Sequence, residues 1–568
     1  MRFESEVDAE VHWEVSGLLL TERLDSPYRL RVALRTDDPM AEALNMLGHS
    51  VTVSVERGPV SRDFHGIVES VEDGSTEDGH SIAALEIVPA LVALSHRRTS
   101  RIFQEMSVTD VLQQVLDEGL GPFERSVDMG FLTGTYAAQE YTVQFKETDL
   151  DFVHRLMEEY GISYCFRHVD GAEVLTLFDD PSVNEDLISL GNHDGVLPMV
   201  VADGGSGTRE DVHDFYRESK MRSTVARTAV FDWLSPASGM QTAENNKSTD
   251  LGGQNGAALE PEREDYVHDE PSTLFGYRTA GLDFAAVEEQ TRLRRVVQQR
   301  DAVRYQGLTT ATGLSPGVKF ELLDHPQAEF EGTYVVVGVQ HSAGDFAAGM
   351  IPGEAYVNRI ECIPVDLEWR PARKTRRPRI PSMQTATVVG PAGEEIHTDE
   401  YGRIQVQFYW QETPSYDADA SCWIRCAQSW AGMAWGSQFI PRVGMEVVVD
   451  FLEGNPDRPL VTGCVYNAAN PPPFTLPEHK TRSGWRSESS PGGAGNNDLW
   501  FEDAAGNELI YLHGEKDWKI LIENDKQQQV GHDEQLRVGN DRRKAVDRDQ
   551  HVEIGRDHEG KVGNDHSL

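Results

Sequence analysis

The chain carries 568 residues, with 52 basic against 94 acidic side chains and a formal net charge of -42. That length is too great for one hydrophobic core and predicts three to five domains. A surface of that sign repels phosphate backbones, which argues against general nucleic-acid binding, and five cysteines in so long a chain do not make a disulfide scaffold.

The opening residues, MRFESEVDAE, hold no basic stretch followed by an apolar core, and no later apolar run approaches the roughly twenty residues of a membrane span. The expectation is a soluble cytoplasmic protein without a signal peptide. Up to about residue 95 short alternating runs separated by polar turns predict a strand-rich domain. SVTDVLQQVLDEG at 107–119 predicts a helix capped by Ser107 or Thr109 and ended by Gly119. ETDLDFVHRLMEEYG at 147–161 predicts a second one, buried along Leu150, Phe152, Val153, Leu156, Met157 and Tyr160. Strands follow at 162–178 with Asp170-Gly171 as the hairpin turn. Alternation returns at 210–234, and the polar, acidic 236–272 stretch reads as a loop. A helix at 285–300 and strands at 318–324, 332–341 and 355–363 close this region.

RPARKTRRPRIPSM at 370–383 switches abruptly to basic and proline-bearing, as a linker or domain-crossing strand able to dock on an acidic neighbour. Five short strands beyond it, TATVVG, GRIQVQFYW, SCWIRCAQ, MEVVVDFL and PLVTGCVY, suit a small Greek-key barrel of the OB type over 376–470. Within SCWIRC, Cys422 and Cys426 read as small buried hydrophobes rather than zinc ligands. Arg442 and Gly444 mark a turn into a buried strand, and Glu446, polar inside an apolar run, has Arg442 or Arg403 as candidate partners. Gly454-Asn455-Pro456-Asp457 reads as a tight turn. Trp430 and Trp435 bracket a barrel loop; exposed aromatics there can stack bases or sugars, yet the acidic charge favours packing against the neck or a sister subunit. Residues 471–515 read as a neck, lacking secondary-structure rhythm to residue 500, with Trp485 as an anchor between subunits.

The last fifty residues repeat with a period of eight. Ile522, Val530, Val538, Val546, Ile554 and Val562 each precede an Asp by three residues, and four of the six are followed directly by Gly. Eight is not a multiple of 3.6, so the pattern is not helical; one branched residue, one turn residue and a short arm repeat naturally in a β-solenoid. A single apolar residue per octad cannot line a closed core alone. An intertwined homotrimer supplies three at every level, with Gly easing the corner and charges facing water. Low apolar content is also the signature of a disordered charged tail, against which the unbroken register argues. Asp533, Asp541, Asp549, Asp557 and Asp565 give too few oxygen ligands for a calcium ladder, and His532, His551, His558 and His566 are scattered. No metal or cofactor site is therefore predicted. No nucleophile elbow, zinc-protease or phosphate-loop motif occurs, and no catalytic activity is expected.

Three blocks in order, QFKETDLDFVHRLMEEYGISYCF at 144–166, SWAGMAWGSQFIPRVGMEVVVDFLEGNPDRPLVTGCVYN at 429–467 and RSGWRSESSPGGAGNNDLWFEDAAGNELIYLHGEKD at 482–517, together with GRIQVQFYW and the octads, resemble the VgrG family, the spike of bacterial type VI secretion systems. The resemblance implies a mainly β, multidomain homotrimer. Residues 1–375 would form a phage-hub-like region of β-barrel domains with helices, 376–470 an OB-fold barrel, and 516–568 the start of an intertwined triple-stranded β-helix. It further implies docking on the hexameric Hcp tube within a baseplate, and a tip that in many relatives carries a PAAR cap and effectors or their adaptors. It implies a protein cytoplasmic before firing that then enters a target cell. Relatives usually continue the β-helix further, so the expectation is either an unusually short protein or a chain that has been cut, and a cut would remove the surface expected to hold a PAAR cap. The hub and spike of a contractile phage tail shares these mechanics and stays an alternative, with an envelope-degrading enzyme as a third.

Overall fold

Leu18 and Leu20 on Glu14–Arg23, and Leu30, Val32 and Leu34 on Ser26–Thr36, are buried at every second position, while Arg29 and Arg31 face water. This period-two pattern builds one covered face. The computed structural model describes the chain except for residues 8–9, 58–59, 76–78, 194, 201–208, 246–262, 269–274, 277–280, 301, 348–349, 351–354 and 566–568. Residues 1–472 and 473–568 form separate compact units.

In the first unit a twelve-stranded sheet runs from Arg2–Ser5 through Ser50–Arg57, Val60–Ser75 and Ser81–Val88 to the hairpin above, then through Gly332–Gly344, Tyr356–Pro364, Val303–Thr309 and Val212–Ser219. The N-terminal hairpin thus pairs with a strand far along the chain, Leu20 standing opposite His341. At that seam the buried Glu22 carboxylate accepts both Arg62 Nη2 contacts at 2.8 and 2.7 Å and meets His341 Nε2 at 3.1 Å. The other ring nitrogen of His341 lies 2.6 Å from Tyr356 Oη. Burial alone would raise the Glu22 pKa, but Arg62 and His341 outweigh it and hold it at about 2.

Helix α1, Val108–Leu120, starts on a capping box of Ser107 and Asp110. It runs through Gly119, where the sequence predicts its end. Gly119 is buried against Leu94, and a Cβ would lie 2.6 Å from Leu94 Cδ1, so this glycine serves close packing rather than termination. Helix α2, Asp149–Tyr160, is capped by Thr148 and ends at Gly161 with φ +68°. Its buried face is Phe152, Val153, Leu156 and Met157, with Leu150 and Tyr160 partly covered. Ser163–Val169 and Ala172–Phe178 pair through a turn with positive φ at Asp170 and Gly171.

The loop predicted at 236–272 is corrected at both of its described ends. Met240–Asn245 and Glu264–His268 are edge strands on either side of Val225–Phe231. Their side chains are mostly exposed or half-buried, so no apolar alternation announced them. The rest of that stretch, 246–262 and 269–272, lies outside the described residues. Helix α3, Phe284–Arg300, sets Val287 against Val230 and Ala243.

Further on, Gln405–Phe408, Gln384–Val389, Glu446–Phe451 and Pro459–Val465 form a four-stranded antiparallel sheet in that order. The fifth predicted strand, at 421–428, is corrected to two single bridges, Ile404 with Ile424 and Cys426 with Val461. A full ladder does not form because Ser421 Oγ takes the Val406 N–H at 2.9 Å. Cys422 is buried and Cys426 half-buried.

The second unit begins with the antiparallel sheet Arg482–Arg486, Asp498–Glu502 and Leu509–His513. The first of these strands corrects the expectation of an irregular 471–500. Gly484, with φ +152°, lies so close to Trp500 that a Cβ would sit 2.4 Å from its Cα, and this break in the side-chain pattern hid the strand. Among the described residues no helix is long and apolar enough to cross a membrane.

Candidate functional site

After the second-unit sheet the chain bends at 523–524, 531–532, 539–540, 547–548, 555–556 and 563–564. Each bend directly follows one of Ile522, Val530, Val538, Val546, Ile554 and Val562, so the sequence period is a backbone period. These six residues are 45 to 53% exposed in the single chain. Among the described residues no backbone hydrogen bond joins one arm to another. Extended arms with open N–H and C=O groups are templates on which another strand can pair. Asp533, Asp541, Asp549, Asp557 and Asp565 and His532, His551 and His558 face solvent; His566 lies outside the described residues. The polar contacts there join adjacent residues, His532 Nδ1 to Asp533 at 2.9 Å and the ion pair of Arg556 with Asp557 at 3.7 Å.

Upstream, Trp485 is exposed opposite Leu499. Ile510, Leu512, Trp518 and Ile520 are exposed too, and the sequence reading overlooked them. The signal was the run LIYLH, apolar on both faces of a strand. A three-stranded sheet bearing such residues needs a cover it does not supply itself.

Around the four-stranded sheet Arg442 and Gly444 form one turn, Met445 N donating to Arg442 O at 3.0 Å while Gly444 takes φ +88°. Glu446 on the strand that follows accepts from Asn467 Nδ2 at 2.8 Å, and Arg403 is held by Asp399 at 2.6 Å. Trp430 and Trp435 come together on an exposed hairpin, ring centroids 5.0 Å apart. Gly454 has φ +74°, and its carbonyl accepts from Ile380 N at 2.8 Å.

Asp457 does more than turn the chain. It is buried, and its Oδ1 accepts from Val143 N at 2.8 Å, on the strand Thr142–Thr148 that leads into α2. Val143 and Phe145 on that strand, with Tyr141 just before it, lie in one core with Val406, Phe408 and Phe451. Next to it Arg155 of α2 grips Glu147 at 2.8 Å, burial holding the Glu147 carboxyl above its ordinary range despite that partner. The basic 370–383 segment, without helix or strand, docks on the acidic end of the same helix. Lys374 N, Thr375 N and Thr375 Oγ1 all reach Glu158 at 2.9 Å, and Arg377 pairs with Glu159. Burial depresses the Arg377 pKa to about 10. The basic, proline-bearing composition announced a segment able to dock on an acidic neighbour, as it does, but not which neighbour, because the partners lie more than 200 residues apart. Among the described residues no group of three or more His, Cys, Asp or Glu is placed to hold a metal.

Three protein families match this chain: the phage tail baseplate hub over residues 21–346, the type VI secretion system/phage-baseplate injector OB domain over 385–466, and the bacteriophage T4 gp5 C-terminal trimerisation domain over 483–568. The type VI secretion system spike protein VgrG1b of Pseudomonas aeruginosa is 34% identical over 538 residues, 94% of this chain and 69% of that protein. The spike protein VgrG3 of Vibrio cholerae is 35% identical over 478 residues, 83% of this chain and 44% of that protein. A solved E. coli component of the type VI secretion system, similar by its description to the T4 tail proteins gp27 and gp5, superposes with TM-score 0.57 at 20% identity, over 82% of this chain and all of that one.

Proposed function

Since this chain belongs to the VgrG family of type VI secretion system spike proteins, we propose that it works as a homotrimer that caps the Hcp tube with its hub region, sits in the baseplate, and is driven through a target envelope with effectors. The carrying observation is the tail, whose backbone bends every eight residues after a half-exposed Ile or Val and, among the described residues, without pairing to itself. Three copies wound about one axis, as an intertwined β-helix, would close those open ladders and bury the six branched residues together.

In this reading the segment 421–426 closes the four-stranded sheet into an OB barrel through its two bridges, and Trp485 anchors one neck sheet to the next. A PAAR cap and effector adaptors are partners wherever the tip offers their surface. The protein resides in the cytoplasm before firing and in the target afterwards. The work is mechanical, with no catalytic step and no metal or cofactor; failure to clear purified peptidoglycan between pH 4 and 8 is the matching expectation.

Light scattering on a size-exclusion column tests the assembly, with about 190 kDa expected, three times the 63.3 kDa chain. A stable 63.3 kDa species at two concentrations would overturn it. Tube docking is tested by co-elution with assembled Hcp hexamers. The phage-tail alternative is favoured by the hub and trimerisation families, both of which bear phage descriptions. Neighbouring genes for capsid and terminase, in place of a secretion membrane complex, would decide for it.

A further inference from the structure

The region of the four-stranded sheet carries an apolar device that the described residues of its own compact unit leave uncovered. Trp430, Met433, Trp435 and Phe439 are 65, 94, 56 and 63% exposed. They lie on a hairpin pairing Ala431 with Gly436 and Gly432 with Trp435. An apolar cluster of this size on an acidic protein marks a contact surface.

The hairpin is rigid before it meets anything. Ser437 N donates to Trp430 O at 2.8 Å, and the Ser429 and Ser437 hydroxyls lie 2.8 Å apart. Gln428 bonds both ways with Phe439, through Nε2 to its carbonyl at 3.1 Å and through Oε1 from its N–H at 3.0 Å. The two indoles meet edge to face at 72°. Glycine is required twice: a Cβ at Gly432 would lie 2.4 Å from the Trp435 ring, and one at Gly436, φ +137°, 2.3 Å from Trp430 O. Aromatic anchors already held in place lose little freedom on docking.

The geometry points to a knob that packs on the barrel region of a second copy of this chain, an inference that rests on the trimeric reading above. Two observations select that occupant. From Cys426 through Pro441 the sequence holds no charged residue, although the whole chain bears -42. Copies so strongly alike in charge approach at least electrostatic cost where the contact is neutral and apolar. The last strand of this region ends at Val465, and the match to the trimerisation domain begins at 483. Fewer than twenty residues of tether, at most about 65 Å, therefore hold three such regions near one threefold axis. A knob of one copy set into the next, repeated around that axis, is a heterologous contact that closes on itself. A base or sugar stacked on the indoles would need no second copy.

Methionine oxidation in the intact full-length protein distinguishes these cases, because sulfoxide formation follows exposure. Met433 is more exposed in the single chain than Met40 at 80% or Met221 at 72%, so it oxidises first if nothing covers it. Mild peroxide treatment, read by peptide mass spectrometry with the particle mass measured on the same sample, is expected to reverse that order. In the trimer Met433 oxidises at least about fivefold more slowly than Met40 and Met221, the loss of access that burial of a side chain brings. A trimer in which Met433 still oxidises as fast as they do overturns the knob and leaves the trimeric reading standing. Met433 protected in a monomer overturns the second copy as its cover, and a monomer with Met433 reactive removes both.

Discussion

Replacing Val538 and Ile554 together by Asp is the most direct test of the axis. Each keeps 46% of its surface exposed in the single chain. Covering that half is worth about 1 kcal/mol per side chain, taking roughly half of the 1.5–3 kcal/mol for complete burial. Three copies at two levels therefore stand to lose roughly 6 kcal/mol of burial, comparable with the whole stability of a typical domain. The carboxylates add to the loss, since three like charges at one level in a dry core repel and shed their hydration. Such groups have folded pKa values raised above the unfolded value of about 3.9. The penalty is then complete above the folded pKa, fades as pH falls from there toward the unfolded value, and is gone below it. Light scattering and thermal melting at pH 7 should show loss of the trimer, with partial recovery toward pH 4, while the exchange Val538→Ile with Ile554→Val keeps the mass. Unchanged mass and melting of the Asp variant at pH 7 would refute the buried axis.

Asp457→Ala removes the acceptor of a buried N–H, that of Val143, and should lower stability by about 2–3 kcal/mol; a chemical-denaturation midpoint equal to wild type would show the junction to be incidental. Gly119→Ala gains about 1 kcal/mol of helix propensity, but its Cβ would meet the fully buried Leu94 at 2.6 Å, and overpacking of about 1–3 kcal/mol wins, so melting should fall rather than rise. Glu22 titrates at about 2, burial being outweighed by Arg62 and His341, so its stabilisation is present above the unfolded value of about 4.3 and is lost as pH falls toward 2. The gap in denaturation midpoint between wild type and Glu22→Gln should therefore shrink from pH 6 to pH 3; a constant gap would contradict the seam geometry. His168, pushed by burial to about 3, acts in the same direction, because the unfolded imidazole takes its proton below about 6.5.

What the sequence made legible follows from the range over which each signal acts. The two capped helices, the Asp170-Gly171 hairpin and the octad period are written within a few neighbouring residues, and the backbone repeats them. Gly119 misled because a glycine required by a distant Leu94 is indistinguishable, along the chain, from one that ends a helix. Met240–Asn245 and Glu264–His268 were missed because edge strands wetted on most positions lose the apolar alternation that identifies a strand. The six tail residues could be named from their period, and the single chain leaves each of them about half exposed.

At the junction the basic 370–383 segment announced an acidic partner, but the identity of that partner was illegible. Val143 meets Asp457 across 314 residues, and Glu158 receives Lys374 and Thr375 from more than 200 residues away. No local pattern can encode such pairs. Their effect is to remove the freedom that a proline-bearing basic segment would otherwise have. Residues 370–383 are fixed to the acidic end of α2 and, through Ile380, to Gly454, while the strand Thr142–Thr148 shares its core with the barrel strands. The two regions are thus joined by close-packed side chains, whose interior yields little, instead of by a flexible tether. Cutting the Asp457 and Glu158 contacts should therefore leave each part folded locally but loosen the coupling between them, a separation that hydrogen exchange at Val143 and Thr375 would read directly.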